Sequence, residues 1–196
     1  GGLSRFGHSL VERMNDWGML VDLSHCSAPT TEDGIEASRG PVAITHSGCK
    51  AVYDHPRSKS DDVLRRMADK GGVLGIYLMP FLNASGPATA DDVLRHIEHA
   101  VNVCGEDHVG IGSDQSITPV QLTPDYVEQQ RVFSEQRQRL RIAAPREDEL
   151  LFVPEINTPR RLEVIADMLL RNKHSEARVE KIVGGNFARL IAEVWN

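Results

Sequence analysis

Two stretches decide the fold: Leu20-Val21-Asp22-Leu23-Ser24-His25 and Val42-Ala43-Ile44-Thr45-His46-Ser47. Each is a short aliphatic run that ends in a hydroxyl residue followed by histidine. Runs of this length, bounded by turn residues, read as buried strands. Two more follow, Val73-Leu74-Gly75-Ile76-Tyr77-Leu78 and His108-Val109-Gly110-Ile111-Gly112-Ser113. Helical patterns separate them. Leu3, Phe6, Leu10, Met14 and Trp17 recur at spacings of three and four, behind Ser4 as a cap and ahead of Gly18 as a stop. Further helices are expected from Thr30 or Thr31 to about Ser38, from Ser60-Asp61-Asp62 to Lys70, and from Thr89-Ala90-Asp91-Asp92 through Val101.

Strands that alternate with helices imply a parallel sheet with crossover helices, and near-continuous apolar strands imply burial on both faces. The fold class is therefore α/β. Four βα units are half of a (β/α)8 barrel, so the choice lies between an open sheet and the last four units of a barrel. Beyond the fourth strand the pattern changes. Residues 116 to 155 are polar and insertion-like, with one helix expected around Asp125 to Leu140. Two helices follow, capped by Thr158-Pro159 and by Ser175, the second burying Val179, Ile182, Val183, Phe187, Leu190, Ile191 and Val194. No linker divides the chain, and residues 1–196 are expected to form a single domain.

Charge narrows the function. A formal net charge of −6, from 22 basic and 28 acidic residues, argues against a phosphate-gripping nucleic-acid binder. No apolar run approaches the roughly 18 residues of a membrane span. Three cysteines, Cys26, Cys49 and Cys104, without CxxC spacing, suggest neither a disulfide framework nor a zinc ribbon. Cys26 and Cys49 read as small buried residues, and a reducing, cytoplasmic compartment is the default.

Active sites of parallel α/β folds lie beyond the carboxyl ends of the strands. There the first strand delivers His25, the second His46 and the fourth Asp114. The two imidazoles are either hydrogen-bonded turn residues or ligands of one ion. Zinc takes imidazole nitrogen at about 2.0–2.1 Å. A catalytic zinc needs a third protein donor, from Asp22, from Asp114 or from elsewhere. Asp22 is the better candidate for orienting an imidazole than for ligation. Asp114 alone is equally a turn cap. Arg57, in Tyr53-Asp54-His55-Pro56-Arg57-Ser58, either grips a substrate carboxylate or forms a surface ion pair. His55 reads as a loop residue. His8, His96, His99 and His174 read as helical surface or packing residues, and His108 opens a strand at the far end.

Together these residues resemble the membrane dipeptidase family, the renal-dipeptidase-like zinc peptidases. The resemblance runs through Phe6-Gly7, Met14-Asn15, Gly18-Met19-Leu20-Val21-Asp22-Leu23-Ser24-His25, Thr45-His46-Ser47, His55-Pro56-Arg57 and Gly71-Gly72-Val73. It continues through Val109-Gly110-Ile111-Gly112-Ser113-Asp114, Glu155-Ile156-Asn157-Thr158-Pro159 and Gly184-Gly185-Asn186-Phe187-Ala188-Arg189. It implies an amidohydrolase-type (β/α)8 TIM barrel in which this chain supplies the last four βα units and the C-terminal helices. It also implies two bridged zinc ions and dipeptide hydrolysis by a zinc-activated water. By position, His25 and His46 match two histidines that bind one zinc, Asp114 matches the acid near the water, and Arg57 matches the arginine that holds the dipeptide carboxylate. The family's first-strand His-x-Asp and its bridging glutamate have no counterpart here, so at most one partial zinc site is expected from this chain. Gln115-Ser116 stands where many members have Phe-Asp-Gly. The expected partners are a dipeptide or small amide, and a second copy of the chain or an N-terminal half. The alternatives are a non-catalytic half-barrel and an amidohydrolase acting on another amide, lactam or lactone.

Overall fold

The computed structural model describes residues 1–195. The element order is α1 (Arg5–Asp16), β1 (Val21–Asp22), α2 (Ala28–Ala37), β2 (Val42–Ser47), α3 (Asp61–Asp69), β3 (Val73–Ile76), α4 (Ala90–Cys104) and β4 (Val109–Ile111). Then come α5 (Pro124–Arg139), α6 (Arg161–Arg171), α7 (Glu176–Glu180) and α8 (Asn186–Val194). The four strands form one parallel sheet in the order β1-β2-β3-β4. Each strand lies beside the next in sequence, as successive βα units of a barrel do.

Local chemistry sets the helix starts. Ser4, Ser60 and Thr123 each accept a bond from a backbone N–H of the first turn, and Thr89 with Asp92 forms a reciprocal capping box. The second helix starts earlier than the threonines suggest. Ser27 is its cap and Pro29 sits in its first turn, where a missing N–H costs nothing. The sixth helix has Arg160 rather than Thr158 in the cap position, and Thr158 Oγ1 instead accepts from the Arg160 N–H. The expected last helix is broken by a π turn, Lys181–Gly185. There the Gly184-Gly185 pair lets Asn186 swing inward and donate to the Glu106 and Val109 carbonyls, at 2.7 Å each. His108 precedes the fourth strand in a 3-10 turn, and its Nδ1 meets the Gly72 carbonyl at 2.8 Å.

Each face of the sheet has its own cover. Val42, Ile44, Leu74, Ile76 and Val109 are fully buried in the main core that the strands share with α2, α3 and α4. Each such side chain contributes roughly 1.5–3 kcal/mol relative to exposure. On the other face Ala43 and Val73 pack with Leu190 of α8. That helix comes so near that a Cβ at Gly110 would lie 2.6 Å from the Phe187 ring. The apolar stripe expected on α1 splits. Leu3, Val11 and Met14 join the core, whereas Phe6, Leu10 and Trp17 are exposed, Phe6 by 76%.

The second strand carries a bulge. Ile44 pairs with Leu74 and Ser47 with Ile76, so Thr45 and His46 together oppose Gly75. The displaced Thr45 carbonyl lies across the sheet. A Cβ on Gly75 would meet that oxygen at 1.9 Å, and one on Gly112 would meet it at 1.6 Å. Both positions therefore need glycine.

Residues 115–158 fold back over the loops that follow β2 and β3. Gln115 donates to the Leu151 carbonyl, Asn157 pairs with both backbone groups of Val120, and Arg146 donates to the Pro80 carbonyl at 3.0 Å. His96 is fully buried, accepting the Cys49 N–H at Nδ1 and donating from Nε2 to the Leu82 carbonyl. Burial pushes its pKa down to about 4.

Gly75→Ala should lower unfolding free energy in urea by about 3 kcal/mol through overpacking against backbone, whereas Gly40→Ala, with open space at its Cβ, should change it little. Acid should weaken the fold through His96. Above pH 6.5 the imidazole is neutral in both states, and as pH falls toward 4 only the unfolded chain takes the proton. Between pH 7 and 5 the wild type should therefore lose about 2 kcal/mol more than His96→Gln loses. Equal losses would remove this role from His96.

Candidate metal centre

The carboxyl ends of β1, β2 and β4 bring three side chains together. After Asp22 the chain turns tightly, with the Cys26 N–H on the Leu23 carbonyl, and this presents His25 at the rim. His46 comes from the bulge in β2, where the extra residue re-aims the side chain. Asp114 follows β4 in a left-handed conformation, φ 55°, a region open to aspartate more than to most residues. The imidazole centroids lie 4.9 Å apart, edge to face at 63°. One ligand atom from each of His25, His46 and Asp114 lies within 4.8 Å of the others. His46 Nε2 stands 4.0 Å from an Asp114 oxygen.

The donor set fits a metal ion. Ligands of one tetrahedral zinc sit about 3.4 Å from one another, against separations within 4.8 Å here. His46 Nε2 is buried and has no hydrogen-bond partner, a costly condition that a cation would relieve. Two imidazoles and a carboxylate suit a first-row divalent ion.

Asp22 stands behind this cluster. Its carboxylate accepts from the Ser24 N–H (3.1 Å) and Oγ–H (2.5 Å) and from the Thr45 N–H (3.1 Å) and Oγ1–H (2.7 Å). Burial by itself would raise its pKa, but the four bonds together hold it below the ordinary carboxylate value. Thr45 Oγ1 in turn lies 2.9 Å from His46 Nδ1, and Ser24 Oγ accepts the His46 N–H.

Arg57 also lies in the cluster. Its Nη2 donates to His25 Nε2 at 3.1 Å, while its Nε is buried without a partner. Burial first, then the Arg57 cation, lowers the His25 pKa. The arginine main chain is fixed from two sides. Its carbonyl accepts from Ser47 Oγ at 2.7 Å, and its N–H donates to His55 Nδ1 at 3.2 Å. His55 is buried, stacks on Phe81 at 4.5 Å, and donates from Nε2 to the Pro145 carbonyl.

Two supports were not visible as such in the sequence. His55 looks like a loop residue, since its only cue is the following proline. Lys59 carries no periodic signal at all. It is nonetheless buried, its Nζ donating to the Cys26 carbonyl (2.8 Å) and to Thr31 Oγ1, with its pKa pushed down to about 8 by burial. Of the cysteines near the site, Cys49 is fully buried but Cys26 is only half-buried, because it lies on the exposed His25 turn. Burial pushes both thiols up, away from the nucleophilic thiolate. Two other histidines are engaged elsewhere: His99 of α4 meets Asp61 at 2.8 Å, and His174, which lies between α6 and α7 rather than in the expected helix, is 3.6 Å from Glu98.

The model of the membrane dipeptidase family, peptidase family M19, matches residues 1–135. Dipeptidase verJ of Clonostachys rogersoniana is 44% identical over 115 residues, which are 58% of this chain and 29% of that protein. An uncharacterised dipeptidase of Schizosaccharomyces pombe is 42% identical over 116 residues, 58% of this chain and 28% of that one. Among solved structures, an amidohydrolase from Pseudomonas aeruginosa superposes with a TM-score of 0.83 at 32% identity, covering 100% of this chain and 58% of that chain. A metallo peptidase from Rhodobacter sphaeroides, solved with a phosphinate mimic of the dipeptide L-Ala-D-Ala, shares the fold with a TM-score of 0.77 at 24% identity, covering 100% and 48%. The chain thus spans about half the length of its solved neighbours, and its matched stretch spans under a third of the curated relatives. Its α/β fold is that of the amidohydrolase-type (β/α)8 barrel, of which it supplies four βα units. With the matching region running through both histidine strands, the Arg57 loop and Asp114, the chain belongs to the membrane dipeptidase family, peptidase family M19.

Proposed function

We propose that this chain carries one part of a metallo-dipeptidase active centre, with His25 and His46 as ligands of a zinc ion, Asp114 as proton carrier and Arg57 as the anchor for a dipeptide carboxylate. The observation that supports this reading best is the convergence of three ligand atoms within 4.8 Å, one of them the buried and unpartnered His46 Nε2. When bound, zinc supplies a Lewis acid that polarises a carbonyl and lowers the pKa of water.

The chain's own residues do the rest. Arg57 orients the substrate through its planar fork, whose unpartnered Nε leaves capacity for a carboxylate. Arg57 Nη2 rests on His25 Nε2, and were His25 to hold a metal, the guanidinium would give up that contact and turn to the substrate. Asp114 is a partly exposed carboxylate beside His46. It takes a proton from the attacking water as the C–O bond forms, then gives it to the amide nitrogen as the C–N bond breaks.

Donor count favours a second reading, a half-barrel that does not turn over by itself. Among the described residues the cluster offers three donors and no second carboxylate to bridge two ions. A dipeptidase assay and metal analysis of the same preparation separate the two. Stoichiometric zinc with turnover supports the first reading, and sub-stoichiometric metal without turnover supports the second.

In a preparation that hydrolyses dipeptides, His46→Ala should remove bound zinc and lower kcat/KM about a thousandfold or more, the loss of several kcal/mol of transition-state stabilisation. His174→Ala should change neither quantity, and equal effects of the two would overturn the site assignment. Arg57→Met should raise KM about 10–100-fold, the worth of one charge-assisted bond pair, with a smaller change in kcat. Steady-state kinetics with dipeptides and with their C-terminal amides measure this, since the amides should not feel the substitution.

A further inference from the structure

Protons can be counted around Thr45. Its Oγ1 lies 2.7 Å from Asp22 Oδ2, 2.9 Å from His46 Nδ1 and 3.0 Å from Ser24 Oγ. Ser24 Oγ lies 2.5 Å from Asp22 Oδ1 and accepts the His46 N–H at 3.1 Å. An ionised carboxylate only accepts, and each hydroxyl owns one proton. Both hydroxyl protons therefore go to Asp22, because charge-assisted bonds at 2.5 and 2.7 Å outweigh a hydroxyl–hydroxyl bond at 3.0 Å. Thr45 Oγ1 then has only lone pairs to offer His46 Nδ1. The opposite arrangement would set two lone pairs against each other at 2.9 Å. Hence Nδ1 must carry the imidazole proton, and Nε2 is left bare. Nε2 is the atom that is buried, unpartnered and turned toward Asp114.

We propose that Asp22, Ser24 and Thr45 form a proton-ordering unit that holds His46 in the Nδ1–H tautomer and keeps the Nε2 lone pair turned into the site before any ion arrives. Thr45 is the positioning residue, because its oxygen alone joins the carboxylate to the ring. The functional consequence rests on the reading of His46 as a metal ligand, whereas the tautomer itself does not. The bulge in β2 serves this arrangement. It places Thr45 and His46 side by side opposite one glycine, so that the hydroxyl of one reaches the ring of the next.

The test uses the metal-free full chain with 15N-labelled histidine. Two-bond nitrogen–proton correlation spectra should show His46 with a protonated-type nitrogen at Nδ1 and an unprotonated-type nitrogen at Nε2. Thr45→Val keeps the shape and the backbone bond to Asp22 but removes the hydroxyl. It should abolish that tautomer preference and weaken zinc binding, titrated on the same protein, about 10–100-fold. Thr45→Ser should restore both. A wild-type His46 protonated on Nε2 overturns the proposal, as does a Thr45→Val protein with unchanged tautomer or unchanged zinc affinity. An Nδ1–H His46 in a protein that takes up no zinc supports the ordering unit and sinks the metal reading instead.

Discussion

Everything at the strand ends depends on the Asp22 carboxylate and the four bonds it accepts. An ionised carboxylate binds N–H and O–H donors more strongly than a neutral acceptor does. Ser24, in the turn after β1, and Thr45, in the bulge of β2, supply those donors, which fastens the turn to the bulge. His25 follows the first fastening by one residue and His46 follows the second by one. The distance between the imidazoles is thus set by a single anion, and neither ring has to be placed by the loop that carries it.

The bulge imposes a second constraint. Its displaced carbonyl needs the space above Gly75 and Gly112, so the third and fourth strands carry no side chain on this face where the site lies. One end of the face is packed by α8, through Leu190 against Ala43 and Val73 and through Phe187 over Gly110. The other end presents Asp22 and Thr45. A parallel sheet sends all its carboxyl ends the same way, so one face is apolar at the end where stability is built and polar at the end where the chemistry gathers.

Much of this was legible in the chain. The repeated aliphatic–hydroxyl–histidine pattern placed His25 and His46 at equivalent points, and the alternation of helix and strand laid out the four βα units in order. Asp22 was readable as a partner of an imidazole, because it stands within an otherwise apolar run. The bulge was not legible. Val42-Ala43-Ile44-Thr45-His46-Ser47 reads as a straight strand, and the extra residue exists only relative to the pairing with β3. The break between α7 and α8 was hidden for a similar reason. Gly184-Gly185 interrupts an otherwise sound apolar period, and only the carbonyls waiting at Glu106 and Val109 turn that interruption into a bend. On α1 periodicity described the stripe correctly but could not say how much of it has a neighbour, since Phe6 and Trp17 share the period of Leu3 and Met14 and lie in water.

His55 shows how a segment without ligands still shapes the site. A loop arginine with a free main chain would lose much of its directing power to conformational entropy. Here the Arg57 N–H is held by His55, and His55 is held by Phe81 and by the Pro145 carbonyl of the segment that follows β4. That segment is itself pinned, by Arg146 on the Pro80 carbonyl and by Arg137 gripping Glu147 with two nitrogens. The polar stretch that interrupts the βα pattern therefore reaches the Arg57 loop through the Pro145 carbonyl. Its side chains matter where they hold Pro145 in place, as Arg146, Arg137 and Glu147 do. This is why a polar segment rich in arginine, glutamine and glutamate can belong to the architecture of a side-chain cluster that lies elsewhere.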